Sequence, residues 1–178
     1  MKKYISNIII LMDQQYYNRV YEPNMAVCHF HANTKTSTPG EDNGYAFLTK
    51  CDNRTIIQLD LFNLPPGVKG FHIHQTADMS KGCDSTGSHY NPNDKTHRDL
   101  NMPNNHLGDL GNIIVDSAGR CHATIFVHDL PLSGPHSVVG RAMVVHADED
   151  DLGLGGTEDS HKSGSSGARI SCGIIELM

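Results

Sequence analysis

Residues 70–111 constrain this chain more than any other stretch. They open Gly-Phe-His-Ile-His-Gln, pass through a polar segment holding Cys83, His89, His97 and His106, and close Gly-Asp-Leu-Gly. Five of the twelve histidines lie here, with Asp109 beside them. In a strand, residues two apart face the same way. A strand over 70–75 therefore projects His72 and His74 together and sends Ile73 into a core. A lone His-x-His reads more readily as two solvated side chains. Three further histidines and an aspartate in the following loop make it a metal site, and nitrogen-rich sets of this kind suit zinc and copper.

A chain of 178 residues is long enough for one domain with a real core. Its 17 glycines and 8 prolines, with no tryptophan, favour strands joined by turns over long helices. The net charge of -6 argues against a nucleic-acid partner, and an anionic substrate would need a local positive field. The five cysteines, Cys28, Cys51, Cys83, Cys121 and Cys172, show no Cys-x-x-Cys spacing. They fit neither a zinc finger nor a dense disulfide framework. Lys2 and Lys3 precede an apolar run at 8–12 that is too short to span a bilayer and lacks a small-residue cleavage site after it. The expectation is an N-terminal extension over 1–24, a domain over 25–178, no membrane association and a cytoplasmic location. Secretion, with the first segment as a signal peptide, is the alternative.

Short strand signals recur from residue 25 onward. Strands are predicted over 26–31, 45–50, 55–62, 70–75, 112–115, 121–127, 141–147 and 169–176. Pro39-Gly40, Asn43-Gly44 and Asp52-Asn53 read as turns, and Pro65-Pro66-Gly67 as a break. Two long polar loops, 76–109 and 148–168, remain. Loops of that length in a compact domain are usually functional or disordered. A metal would explain order in the first. No helix beyond a turn or two is expected.

Several motifs stand in order along the chain: Gly-Phe-His-Ile-His (70–74), Gly-Cys (82–83), Gly-x-His-Tyr-Asn-Pro (87–92), His-x-Gly-Asp-Leu-Gly-Asn (106–112), Gly-Arg-x-Met-Val-Val-His (140–146), Asp-Asp-Leu-Gly-x-Gly-Gly (150–156) and Gly-x-Arg-x-x-Cys-Gly (167–173). Together they resemble the copper/zinc superoxide dismutase family over residues 25–177. The resemblance implies an all-β fold, an eight-stranded Greek-key β-barrel (an Ig-like sandwich) with two long functional loops. It implies copper on His72, His74, His89 and His146, and zinc on His89, His97, His106 and Asp109. His89 would bridge the ions, since imidazole can offer one nitrogen to each. Asp150 would link His72 to His97 from behind. Arg169 would hold the superoxide anion, and Glu158, Asp159 and Lys162 would guide it. Cys83 and Cys172 would form the intrasubunit disulfide, leaving Cys28, Cys51 and Cys121 free. His29 and His31 repeat the His-x-His pattern without a matching role; partly exposed strand positions are the plainer reading.

The activity implied is disproportionation of superoxide to dioxygen and hydrogen peroxide, with Arg169 and His89 as catalytic residues. A homodimer is implied, and a copper chaperone as a further partner. The chain departs from the family pattern at 75–81 and 98–105, which bears on dimer geometry more than on catalysis. A catalytically silent relative would have lost Arg169 or a copper histidine, and all are present. A chaperone carrying such a domain would add a Cys-x-x-Cys module, and none is present.

Overall fold

The computed structural model describes residues 24–178; the expectations for the N-terminal extension and its signal-like run lie outside the described residues. Nine strands follow in order: β1 Met25–Ala32, β2 Asp42–Cys51, β3 Arg54–Leu61, β4 Gly67–Ile73, β5 Ser80–Cys83, β6 Asp109–Val115, β7 Cys121–His128, β8 Ala142–His146 and β9 Arg169–Leu177. Among the described residues one helix, α1 Glu158–Ser163, sits between β8 and β9. Eight strands form one antiparallel sheet in the order β6-β4-β8-β9-β1-β2-β3-β7. The end strands β6 and β7 come together, so the sheet curls into a nearly closed barrel. Sequence neighbours β3 and β4, and β7 and β8, are not sheet neighbours. These two crossovers give the Greek-key connectivity that the motifs imply.

Period-two alternation decides what is inside. Phe30, Leu48, Ile57, Leu61, Phe71, Ile73, Met143 and Ile175 are fully buried in the barrel. The neighbours of Phe71 and Ile73 are His72 on β4 and His74 just past its end, which therefore stand on the outer wall. On β8, Met143 and Val145 face in, while Val144 and His146 face out. Residues 74–108 and 147–168 fold over this outer wall and bury it; His72, His74 and His146 are 0%, 1% and 4% exposed. The site thus lies between barrel and loops, away from the barrel axis.

The structure corrects several sequence expectations. Asn43-Gly44 is no turn. Strand β2 starts at Asp42, and the register against β1 slips between Phe30 and His31, where Asn43 is the extra residue. Gly44 takes φ 99 there, a conformation that suits glycine in a bulge. Strand β6 begins at Asp109, earlier than expected, and β4 ends at Ile73, earlier than expected. Strand β5 lies inside the predicted loop, outside the eight-stranded sheet, and packs on β9. Among the described residues no helix is long and apolar enough to cross a membrane.

Candidate metal centre

Three cross-strand pairings assemble the site from distant parts of the chain. His72 on β4 is the ladder partner of Asp109 on β6. His74 forms an isolated antiparallel bridge with His89, which anchors the first long loop beside the strand end. His146 on β8 pairs with Arg169 on β9. Backbone register alone therefore brings a strand histidine to each of three other candidate residues.

The first cluster is His72, His74, His89 and His146, with one nitrogen from each within 4.8 Å of the others. His74 Nε2 and His146 Nε2 face each other at 3.2 Å. His72 Nδ1 and His89 Nε2 are buried with no hydrogen-bond partner among the described residues. Burial, then the neighbouring His89 and His146, pushes His72 well below the ordinary imidazole range, and burial does the same to His74. Burial brings His146 down to about 4. These rings are neutral at pH 7, which is the form that ligates.

The second cluster is His89, His97, His106 and Asp109. Nδ1 of His89, His97 and His106 stand 2.9, 2.9 and 3.1 Å from Asp109 Oδ1. His97 Nδ1 makes this approach without the direction of a hydrogen bond. Tetrahedral zinc ligands at about 2.0–2.1 Å from the ion stand about 3.3 Å apart, so these donors are spaced a little inside that. Burial works against a charge on His97, but the carboxylates of Asp109 and Asp150 outweigh it and raise the ring to about 9. Burial likewise opposes ionisation of Asp109, yet three imidazoles hold it far below the carboxylate range.

The outer nitrogens are all occupied. His72 Nε2 and His97 Nε2 bind the two oxygens of Asp150 at 2.8 and 2.7 Å. His74 Nδ1 donates to the Gly87 carbonyl at 2.9 Å, His146 Nδ1 to Gly167 at 3.2 Å and His106 Nε2 to Lys95 at 3.0 Å. Such partners fix the tautomer and the ring plane. His89 alone has no outer partner, because its two nitrogens face the two clusters. Asp150 is itself clamped through its backbone by the Asn112 amide, at 2.8 and 2.9 Å. Gly164, at φ 66, packs so close to Asp150 and His97 that a Cβ there would collide with both.

The chain's other expected site residues fall around this core. Arg169 is half-buried. Its guanidinium donates to the carbonyls of Cys83, Asp84 and Gly87 and to Thr86 Oγ1 at 2.6–3.2 Å. Its charge also lowers the affinity of His74 and His146 for protons. Glu158, Asp159 and Lys162 lie on α1. Lys162 is bound to Glu158 at 2.5 Å, with both side chains exposed, so much of its positive field is cancelled locally. Cys83 and Cys172 form a disulfide across 89 residues, tying β5 to β9. Closing a loop of that length stabilises by about 4–5 kcal/mol in the chain-entropy account. Cys28 and Cys121 are buried and Cys51 exposed, all three as free thiols. His29 and His31 stand partly exposed on β1, outside both clusters.

Sequence reasoning missed the carbonyls of Gly87, Gly167 and Lys95, and the roles of Thr86 and Asn112. Gly87, Asn112 and Gly167 lie within the motifs, but only the Asn112 side chain could have drawn attention to a role, since the two glycines act through their carbonyls. The 300 Å³ cleft at His29 and Cys172 contains none of the eight cluster and bridging residues.

The donor chemistry fits two ions. One set is four neutral imidazoles, His72 and His146 on strands with His74 and His89 bridged beside them, with a slightly open edge at His89 and His146, each 4% exposed. The other is three imidazoles and a carboxylate, the closed tetrahedral set of a structural zinc. Comparisons with known proteins point the same way. The sequence profile of the copper/zinc superoxide dismutases matches residues 42–175. A protein of Brugia pahangi named extracellular superoxide dismutase [Cu-Zn] is 38% identical over 98% of this chain and 95% of its own. The crystal structure of the clock protein EA4 superposes with a TM-score of 0.79 and 37% identity, covering 88% of this chain and 96% of that one. With the motifs, the barrel and the paired clusters on one outer wall, this chain belongs to the copper/zinc superoxide dismutase family.

Proposed function

We propose that this protein disproportionates superoxide, two superoxide ions and two protons giving dioxygen and hydrogen peroxide. The observation that carries the reading is the wiring of the histidines. Five have their outer nitrogen tied to an acceptor, and His89 alone turns a nitrogen to each cluster. In this reading His72, His74, His89 and His146 hold copper, and His89, His97, His106 and Asp109 hold zinc. Bound copper would supply one-electron redox chemistry, and bound zinc a fixed positive charge that makes His89 less basic. The remaining work falls to the chain. Arg169, fixed by four acceptors, presents a permanent cation to an approaching anion. The loops exclude everything but small species from the buried rings. His89 Nε2 is the atom positioned to hold and deliver a proton to the reduced product. Lys162 has a minor steering role because Glu158 holds it.

The test is superoxide consumption by stopped-flow on protein loaded with copper and zinc. Rapid loss, abolished by removing copper, supports the reading; full metal loading without activity contradicts it. Arg169→Ala should slow consumption and flatten its dependence on ionic strength, because a focusing charge is gone. Unchanged kinetics at low salt would remove Arg169 from that role.

We further propose that residues 25–178 form the self-contained unit, that it works as a homodimer, and that a copper chaperone loads it. Light scattering at micromolar concentration checks the dimer, and a monomer there overturns it. For location, the name of the Brugia pahangi relative favours the secreted alternative over the cytoplasmic one. A disulfide also suits an oxidising compartment. Sequencing the N-terminus of protein recovered from culture medium decides between them.

A further inference from the structure

A second His-x-His stands apart from the metal centre. His29 and His31 project from the same face of β1, with ring centroids 4.3 Å apart. His29 Nε2 is held by Asp42 Oδ1 at 3.0 Å, and its ring stacks on Tyr45 at 4.2 Å. His31 Nδ1 is enclosed, with no hydrogen-bond partner among the described residues. Both rings line a cleft of about 300 Å³ that also includes Met79, Cys172 and Glu176. Two features repeat those of His72 and His74, a carboxylate on Nε2 of the first imidazole and a second imidazole two residues on; the unpartnered buried nitrogen falls here on the second ring, His31, and there on the first, His72.

We propose that His29 and His31 form a third metal position on this chain, taking a cupric or zinc ion through their imidazoles with water completing the coordination. Two imidazoles are a borderline donor set, and copper binds such sets more tightly than zinc. Asp42 is a positioning residue: it fixes the His29 ring by binding Nε2, as Asp150 does for His72. Among the described residues, the clusters offering three or more close donors do not include this pair. The ion is therefore held more weakly than in the main centre. The His29 side chain is 41% exposed, so the ion exchanges with solvent.

The experiment uses the full chain with its main centre loaded. Cupric ion in a weakly coordinating buffer is added, bound copper is counted by equilibrium dialysis, and its ligands are read by electron paramagnetic resonance. One further copper per chain is expected, with nitrogen couplings from imidazole and no change in superoxide consumption. The double variant His29→Asn with His31→Asn should lose that copper and keep the original two metals. Asp42→Asn should weaken it about 10–100-fold without removing it. A further copper that persists in the double variant overturns the assignment, as does the absence of any further copper on the parent protein under molar excess.

Discussion

The two donor clusters share His89 and differ in everything else. The all-imidazole cluster takes His72 from β4 and His146 from β8, both fixed by ladder pairing, and His74 from just past the end of β4, fixed by its bridge to His89. The other takes His97 and His106 from the first long loop, and Asp109 from the start of β6. The first is uncharged, its rings kept neutral by burial. The second carries a carboxylate and, without metal, a proton that the Asp109 and Asp150 carboxylates hold on His97. A neutral set on rigid strands suits an ion whose charge must change, because no large field has to be rearranged. An anionic set on a loop suits an ion of constant charge that ties the loop down. The difference lies in where one fold places the two sets: three rings of the first on or beside paired strands, two of the second on a loop.

The largest effect should come from removing one ligand on each side. His146→Ala should abolish superoxide consumption while leaving zinc bound. Asp109→Ala should remove zinc, expose an unpaired cluster of imidazoles and loosen the loop. Metal content and protease sensitivity of the two variants separate them; equal zinc in both would erase the distinction drawn here.

Next comes the one carboxylate the clusters share from behind. Asp150→Asn keeps the shape but cannot accept from both rings. Affinity should fall about 10–100-fold for both ions, since His72 and His97 each lose an anchor at 2.8 and 2.7 Å. Competition with a chromophoric chelator measures each ion. A loss confined to one would mean that Asp150 serves only that cluster.

A smaller effect is protonic. At pH 7 the metal-free protein holds a proton at His97, raised to about 9, and none at His146, lowered to about 4. Zinc binding should release close to one proton, from His97, and loading the second ion close to one more, from His89, because a neutral imidazole cannot give a nitrogen to each ion; calorimetry in buffers of different ionisation enthalpy can count both. The same shifts set the stability of the metal-free chain. The His97 contribution is fully present below pH 6.5 and is lost as pH rises through about 9. His146 acts in the opposite sense: its unfolded form takes a proton first, so stability falls as pH drops from 6.5 toward 4. Chemical denaturation across pH 4–9 should show both limbs, and a flat profile would contradict the assignments.

Smallest of all, Lys162→Ala should change the low-salt rate only slightly, because exposed i, i+4 pairs are weak and Glu158 already screens the charge. A drop as large as that of Arg169→Ala would restore Lys162 to a main steering role.

The main strands were legible because their alternation is strong, as in Phe71-His72-Ile73-His74, where core and site separate residue by residue. The motifs carried the candidate site as well, because side-chain chemistry is written in residue type. What was hidden has physical reasons. Ser80–Cys83 is too short and polar to read as a strand, and only its packing and disulfide hold it. Asn43-Gly44 has turn composition but serves a bulge, since the same positive φ is used by both. Gly87 and Gly167 anchor rings through carbonyls that every residue possesses, so their identity says nothing. The weakening of Lys162 was within reach, because Glu158 stands four residues before it.

The central claim is that His89 joins two separate ions. Anomalous X-ray scattering at the copper and zinc edges, on crystals of protein loaded with both, tests it most directly. The account predicts a copper peak among His72, His74, His89 and His146, a zinc peak among His89, His97, His106 and Asp109, and the His89 ring between them. A single peak, or two peaks with His89 touching only one, would contradict it.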